Sequence, residues 1–117
     1  MIGTNPDVTG PTEHGLVPAC GALVAPIQLV TGVHLHFVGK LNPLMMRTAL
    51  HRLNTHSAET FMVGDRMDTD MIAGIESGIR TILVLSGVTA RADVDTYAFR
   101  PHDVSDAVAH IPVSTLG

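Results

Sequence analysis

The feature that most constrains the fold is an uncharged, mostly aliphatic run at residues 81–85, Thr-Ile-Leu-Val-Leu. A continuous apolar run of this length is typical of a strand that is buried on both faces, as in parallel sheets. Two shorter segments, residues 34–38 and residues 60–63, have the same strand-like character, and helical patterns separate the three. Strands that alternate with helices predict an α/β fold in which helices flank a parallel, Rossmann-like sheet.

Helix signals lie between these strands. Asn42 is suited to cap a helix that begins at Pro43, and the apolar positions of that helix share one face: Met46, Ala49, Leu50 and Leu53. Asp68 or Thr69 is suited to cap the next helix, which would turn Ile72, Ile75 and Ile79 inward.

The first part of the chain has a different character. Residues 1–19 are rich in Gly, Pro, Asn and Asp and predict turns, with at most a very short strand before Asn5. Residues 20–31 are mostly small or apolar and predict a buried helix that is interrupted or kinked near Pro26 and closed by Gly32. After residue 90 we expect a loop to residue 101, then a short strand and a helical turn between residues 104 and 111.

Composition excludes several classes of partner. The net charge of -4 and the absence of a basic cluster argue against nucleic acid and an anionic membrane surface. No run of about 18 apolar residues is present, so no membrane span is expected. Cys20 is the only cysteine, which precludes an intrachain disulfide and fits a cytoplasmic location.

Three carboxylates stand within the segment 64–70, Gly-Asp-Arg-Met-Asp-Thr-Asp, directly after a predicted strand. Magnesium prefers oxygen ligands and usually takes one or two carboxylates from a protein. Asp65, at the strand end, is the expected direct ligand, while Asp70 would act through water or hold another side chain. The alternative is a solvated loop in which Asp68 or Asp70 only caps a helix.

The chain has a single lysine, Lys40, which also follows a predicted strand and precedes a helix start at Asn42. A lysine in this position is well placed to bind phosphate, although a solvent-exposed lysine is the alternative. Loops that follow parallel strands open on one edge of a sheet. We therefore expect Lys40 and the loops at residues 64–65 and 86–87 to meet at that edge.

Three groups of residues together resemble the haloacid dehalogenase (HAD) superfamily, and most closely its NagD-like branch, which includes 4-nitrophenylphosphatases and pyridoxal phosphate phosphatases. The groups are Gly3-Thr4-Asn5-Pro6-Asp7 with Pro18-Ala19-Cys20-Gly21-Ala22, Gly39-Lys40 with Asn42-Pro43, and Gly64-Asp65-Arg66 with Thr69-Asp70. The run at residues 81–88 also looks like that branch, so the resemblance extends over nearly the whole chain.

The resemblance implies a role for each matched residue. Lys40 would neutralise the phosphoryl group, Asp65 would ligate Mg²⁺, and Asp70 would hold the metal shell or orient Lys40. Asn5 and Asp7 match a substrate-facing loop of the cap domain, and Asn42 is a further substrate-binding candidate. Residues 1–33 would be the end of the cap, and residues 34–117 the second half of the Rossmann-like core.

Two departures from the family pattern stand out. Leu41 replaces the proline that usually follows the motif lysine, and we expect this to loosen the turn that holds Lys40. No apolar strand leads into Asp-x-Asp-x-Thr, the family's nucleophile motif. Residues 93–96 spell Asp-Val-Asp-Thr, but the segment before them is not strand-like, and we interpret the match as coincidental.

Two functional hypotheses follow. In the first, the chain is part of a magnesium-dependent phosphatase whose nucleophile comes from a missing N-terminal segment or another chain, and whose substrate is a phosphorylated small molecule. In the second, it is a catalytically inactive, truncated homologue that acts as a self-associating or ligand-binding module, most simply a homodimer.

Overall fold

The computed structural model describes residues 1–112 and residue 114 and divides the chain into two compact units, residues 1–45 and 46–117. Residues 113 and 115–117, at the end of the predicted core domain, lie outside the described residues. The predicted boundary between cap and core at residues 33 and 34 stays a prediction.

The first unit contains two small sheets. Strand β1, Ile2–Gly3, pairs in parallel with β4, His36–Phe37. Strands β2, Thr9–Thr12, and β3, Gly15–Pro18, form an antiparallel hairpin. The prediction of turns alone was wrong for this hairpin, because residues with a strong turn preference can also occupy short, solvent-exposed strands.

Helix α1 spans Cys20–Thr31 and has the predicted bounds. It ends at Gly32, whose φ of 67° places it in the left-handed region that glycine favours, and whose N–H donates to the Gln28 carbonyl. The helix continues through Pro26 without an interruption, and none of its residues is buried, so the prediction of a buried helix was wrong. The alternative of a kink near Pro26 stays a prediction. Within its own unit α1 packs on the short strands β1, β2 and β3.

The second unit contains a three-stranded parallel sheet in the order β5-β6-β7. Its strands are β5, Phe61–Gly64, β6, Arg80–Val84, and β7, Asp103–Ser105. Residues 81–84 of the central strand β6 are all buried, as the apolar run predicts. The parallel α/β architecture predicted from the sequence is confirmed.

The connection from β5 to β6 begins with a π-helical turn, Met67–Met71, and continues as helix α3, Ile72–Glu76. Neither Asp68 nor Thr69 caps it, because the helical turn starts at Met67 and Arg66 occupies the capping position without a side-chain bond. Thr69 is instead buried inside the turn. That capping prediction was wrong.

The core of the second unit is built largely from methionine and aliphatic side chains. Met67, Met71, Leu83 and Val94 form its buried cluster, and Leu85, Tyr97 and Phe99 pack against it. Val94 belongs to a 3₁₀ helix, Arg91–Thr96, in the segment predicted as loop.

The remaining elements are helix α2, Pro43–Leu53, and two 3₁₀ helices, Ser57–Glu59 and Val108–His110. Of the three predicted strands, β4 pairs with β1 in the first unit, and β5 and β6 are neighbours in the sheet of the second unit. Across residues 1–112 and 114, no helix combines the length and hydrophobicity that crossing a membrane requires.

Candidate functional site

In the first unit, Lys40 and Asn5 lie just beyond the carboxyl ends of two paired parallel strands, β4 and β1. The Val38 N–H donates to the Gly3 carbonyl at 3.1 Å, which extends the pairing past the strands. A Cβ on Gly39 would lie 2.9 Å from the carbonyl carbon of Thr4, so only glycine fits there. The structure therefore brings half-buried Lys40 and half-buried Asn5 to the same end of this strand pair.

The loop from Asn5 to Asp7 is fixed at the start of α1. Asn5 Oδ1 accepts the Asp7 N–H at 3.0 Å, and the Gly21 N–H donates to the Asp7 carbonyl at 2.8 Å. Asp7 Oδ1 is buried and has no hydrogen-bond partner among the described residues. Hydrogen bonds from Asn5, and then from Thr4, lower the pKa of the neighbouring Cys20 thiol.

Asn42 acts as the predicted helix cap, because its Oδ1 accepts the Leu44 N–H at 2.9 Å. Its Nδ2 donates to the Phe37 carbonyl at 2.6 Å, which holds Asn42 at the end of β4. A role for Asn42 in substrate binding stays a prediction.

The turn after Lys40 has an unusual backbone. Leu41 has a φ of 73°, a conformation that proline cannot adopt because its ring fixes φ near −65°. Side chains at positive φ are strained by about 1–2 kcal/mol. The turn is therefore built differently from a Lys-Pro turn.

In the second unit, half-buried Asp65 follows β5 directly. Its Oδ2 accepts the Val88 N–H, at 2.9 Å, from the loop that follows the neighbouring strand β6. A Cβ on Gly87 would lie 2.5 Å from Asp65 Cγ, so Gly87 leaves the space that the carboxylate occupies. The loops after β5 and β6 meet at one sheet edge, as expected for parallel neighbours.

The Asp70 side chain bonds to the main chain at Asp65. This side chain is buried, and its Oδ2 accepts the N–H groups of Asp65 and Arg66, each at 3.2 Å. A Cβ on Gly64 would lie 2.6 Å from Asp70 Cγ, so the glycine is what allows this close approach. The buried carboxylate therefore fixes the backbone of the turn that carries Asp65.

Asp68 has a different environment from the other two carboxylates of the segment. It is exposed and accepts two hydrogen bonds from Arg66, at 3.0 Å from Nε and 2.8 Å from Nη2. The alternative of a solvated capping loop thus describes neither buried Asp70 nor surface-paired Asp68.

The oxygen ligands that Asp65 and Asp70 can offer are of the type that a magnesium ion prefers. Asp65 and Asp70 supply carboxylate oxygens beside a strand end, and Gly64 and Gly87 leave room for both carboxylates. Among the described residues, no group of three or more His, Cys, Asp or Glu side chains is arranged to hold a metal. Magnesium suits such a sparse set, because it commonly keeps waters and takes further oxygens from a bound phosphate.

The sequence analysis placed residues 86–87 at this edge but did not identify Thr89, whose hydroxyl accepts the Met67 N–H and whose own N–H donates to the Asp65 carbonyl. Its position shortly after a strong predicted strand, next to the strand that precedes Asp65, was the available signal. Lys40 belongs to the first unit, whereas Asp65 and Asp70 belong to the second, so the meeting of lysine and carboxylates stays a prediction.

Comparison with known proteins gives consistent results. A family model described as HAD-hydrolase-like matches residues 37–111. Dihydroxyacetone phosphatase of Corynebacterium glutamicum is 47% identical over 111 residues, which cover 95% of this chain and 40% of that protein. The ribonucleotide monophosphatase NagD of Escherichia coli is 46% identical over 113 residues, covering 97% of this chain and 44% of NagD.

A solved structure of 4-nitrophenylphosphatase from Thermotoga maritima superposes with a TM-score of 0.88 at 32% identity, covering 99% of this chain and 44% of that one. This chain therefore spans about two fifths of the length of the relatives it matches. The resemblance inferred from the motifs is confirmed.

Proposed function

Because the chain belongs to the HAD-like hydrolase family, we propose that it forms the phosphate- and metal-binding half of a magnesium-dependent phosphoric monoester hydrolase. The observation that carries the proposal is the Asp65 carboxylate, held at the end of a parallel strand by the Val88 N–H. Buried Asp70 fixes the turn behind it. The relatives' names, all phosphatases, support phosphate as the group that is recognised.

In this proposal each residue has a distinct task. The Lys40 ammonium offsets the negative charge of the phosphoryl group, which a preorganised cation does at little reorganisation cost. Asp65 is the metal ligand, and Asp70 holds the Asp65 turn while contributing to the metal shell or to the orientation of Lys40. Asn5, Asp7 and Asn42 would contact the rest of the substrate.

A bound magnesium ion would supply Lewis-acid polarisation of the phosphoryl oxygens. The attacking carboxylate, which in this family takes up the phosphoryl group before hydrolysis, would come from a preceding segment or from another chain. Residues 93–96 are not proposed for it, because they lie in a 3₁₀ helix and Val94 packs in the core. The substrate is proposed to be a phosphorylated small molecule, and the location the cytoplasm.

A second candidate is an inactive module that binds ligand or associates with itself. The exposed surface of α1 favours it, since Leu29 and Val30 are 86% and 85% exposed on a helix without charged residues. Apolar surface of this kind is usually covered by a partner. A homodimer is the simplest such assembly.

An assay of the purified chain with 4-nitrophenyl phosphate and Mg²⁺, beside a Lys40→Ala variant, tests whether the chain has phosphatase activity of its own. We expect no turnover by the chain alone, because no nucleophile is assigned within it. Turnover that disappears in the variant would exclude the inactive module and show that the chain is self-sufficient. Absence of turnover together with a dimeric mass in solution would exclude a self-sufficient phosphatase.

A further inference from the structure

Three hydrogen bonds join the loop at residues 86–89 to the Asp65 turn. One is the bond from the Val88 N–H to the Asp65 carboxylate. The other two both involve Thr89, whose N–H donates to the Asp65 carbonyl at 3.0 Å and whose Oγ1 accepts the Met67 N–H at 3.2 Å. Thr89 therefore holds the main chain on both sides of Arg66.

The two hydrogen bonds of Thr89 lie in a buried environment. Thr89 is 8% exposed, and Met67 is fully buried in the core cluster. The Met67 N–H is at the start of the π-helical turn, where an amide has no partner within the turn itself. The Thr89 hydroxyl supplies the acceptor that this buried amide needs, because an unmade buried hydrogen bond is costly.

We propose that Thr89 is a positioning residue of the Asp65 site. It fixes the backbone from Asp65 to Met67, so that the Asp65 carboxylate stays at the carboxyl end of β5 and keeps its hydrogen bond from the Val88 N–H. This inference rests on the proposed role of Asp65 as a metal ligand. It assigns a specific function to a side chain 24 residues after Asp65 in the sequence, in the loop that follows the adjacent strand β6.

Three variants of the full chain test the proposal. Thr89→Val keeps the shape and removes the acceptor, while Thr89→Ser keeps the hydroxyl. Thr81→Val is the matched control, because Thr81 is also buried in this unit but its hydroxyl bonds to His102 and not to the Asp65 turn. A general loss of stability from removing a buried hydroxyl would appear in both valine variants.

The measurement is a Mg²⁺ titration of ¹⁵N-labelled protein, followed by the backbone amide shifts of Asp65 and Arg66. We expect the dissociation constant to rise at least about tenfold in Thr89→Val, as for other groups that support a metal ligand. It should stay within about twofold of the wild type in Thr89→Ser and Thr81→Val. Unchanged affinity in Thr89→Val, or an equal loss in Thr81→Val, would overturn the proposal.

Amide hydrogen exchange distinguishes failure of this inference from failure of the metal role. If the wild-type protein shows no Mg²⁺-dependent shifts, the metal role of Asp65 is wrong. The positioning role of Thr89 is then tested by the hydrogen-exchange rate of the Met67 amide alone. Its exchange should accelerate about tenfold or more in Thr89→Val and be restored in Thr89→Ser, since a buried hydrogen bond is lost and regained. Equal exchange in both variants would overturn the positioning role.

Discussion

Replacing Asp70 by alanine is expected to destabilise the second unit by about 2–5 kcal/mol, because two partly buried N–H groups lose their buried acceptor at once. These are the amides of Asp65 and Arg66, both bonded to Asp70 Oδ2. The side chain is also packed against Gly64, so its removal leaves a void beside β5. Chemical denaturation followed by circular dichroism measures the change in the free energy of unfolding.

The matched control is Asp68→Ala, in the same loop. Asp68 is exposed and paired with Arg66 at the surface, where an ion pair contributes about 0–1 kcal/mol. Asp70→Asn should fall between the two, because its amide oxygen can still accept the backbone N–H groups without the charge. Equal destabilisation by Asp70→Ala and Asp68→Ala would contradict the role assigned to the buried carboxylate.

Asp65→Asn is expected to weaken Mg²⁺ binding by at least about a hundredfold, since residues that merely support a metal ligand already contribute up to that factor. The asparagine has the shape of aspartate, and its Oδ1 can still accept the Val88 N–H. The substitution therefore removes the negative charge while keeping the hydrogen bond to the loop after β6. Isothermal titration calorimetry with MgCl₂ measures the affinity.

Asp68→Asn provides the comparison for the loss of one negative charge near the site. Because Asp68 lies at the surface and pairs with Arg66, we expect its effect on the Mg²⁺ dissociation constant to be small. A similar loss of affinity in both variants would mean that the general charge of the loop, and not ligation by Asp65, attracts the metal.

The sequence was most informative where local pattern and burial agree. The apolar run at residues 81–85 predicted β6, and Gly32 correctly marked the end of α1. The position of Asp65 directly after a strand was predicted correctly, and so was the cap at Asn42, because a polar residue before Pro43 is a common helix cap.

What the sequence missed depends on contacts between distant residues. The Thr89 hydroxyl and the Met67 amide are 22 residues apart, and no local pattern marks that bond. Burial of α1 was predicted from its apolar composition, but burial also requires neighbouring elements, and the strands of its unit are too short to supply them. The pairing of β4 with β1 was likewise invisible, because both strands have only two residues.

A double-mutant cycle on phosphate binding tests most directly whether Lys40 and Asp65 serve one site. The dissociation constant of inorganic phosphate, with Mg²⁺ in excess, is measured by NMR titration for the wild type, Lys40→Ala, Asp65→Asn and the double variant. Residues that share a ligand typically couple by about 0.5–3 kcal/mol. We predict Mg²⁺-dependent phosphate binding that each single variant weakens, with a double variant little worse than either. Additive effects, or no phosphate binding by the wild type, would contradict the shared site.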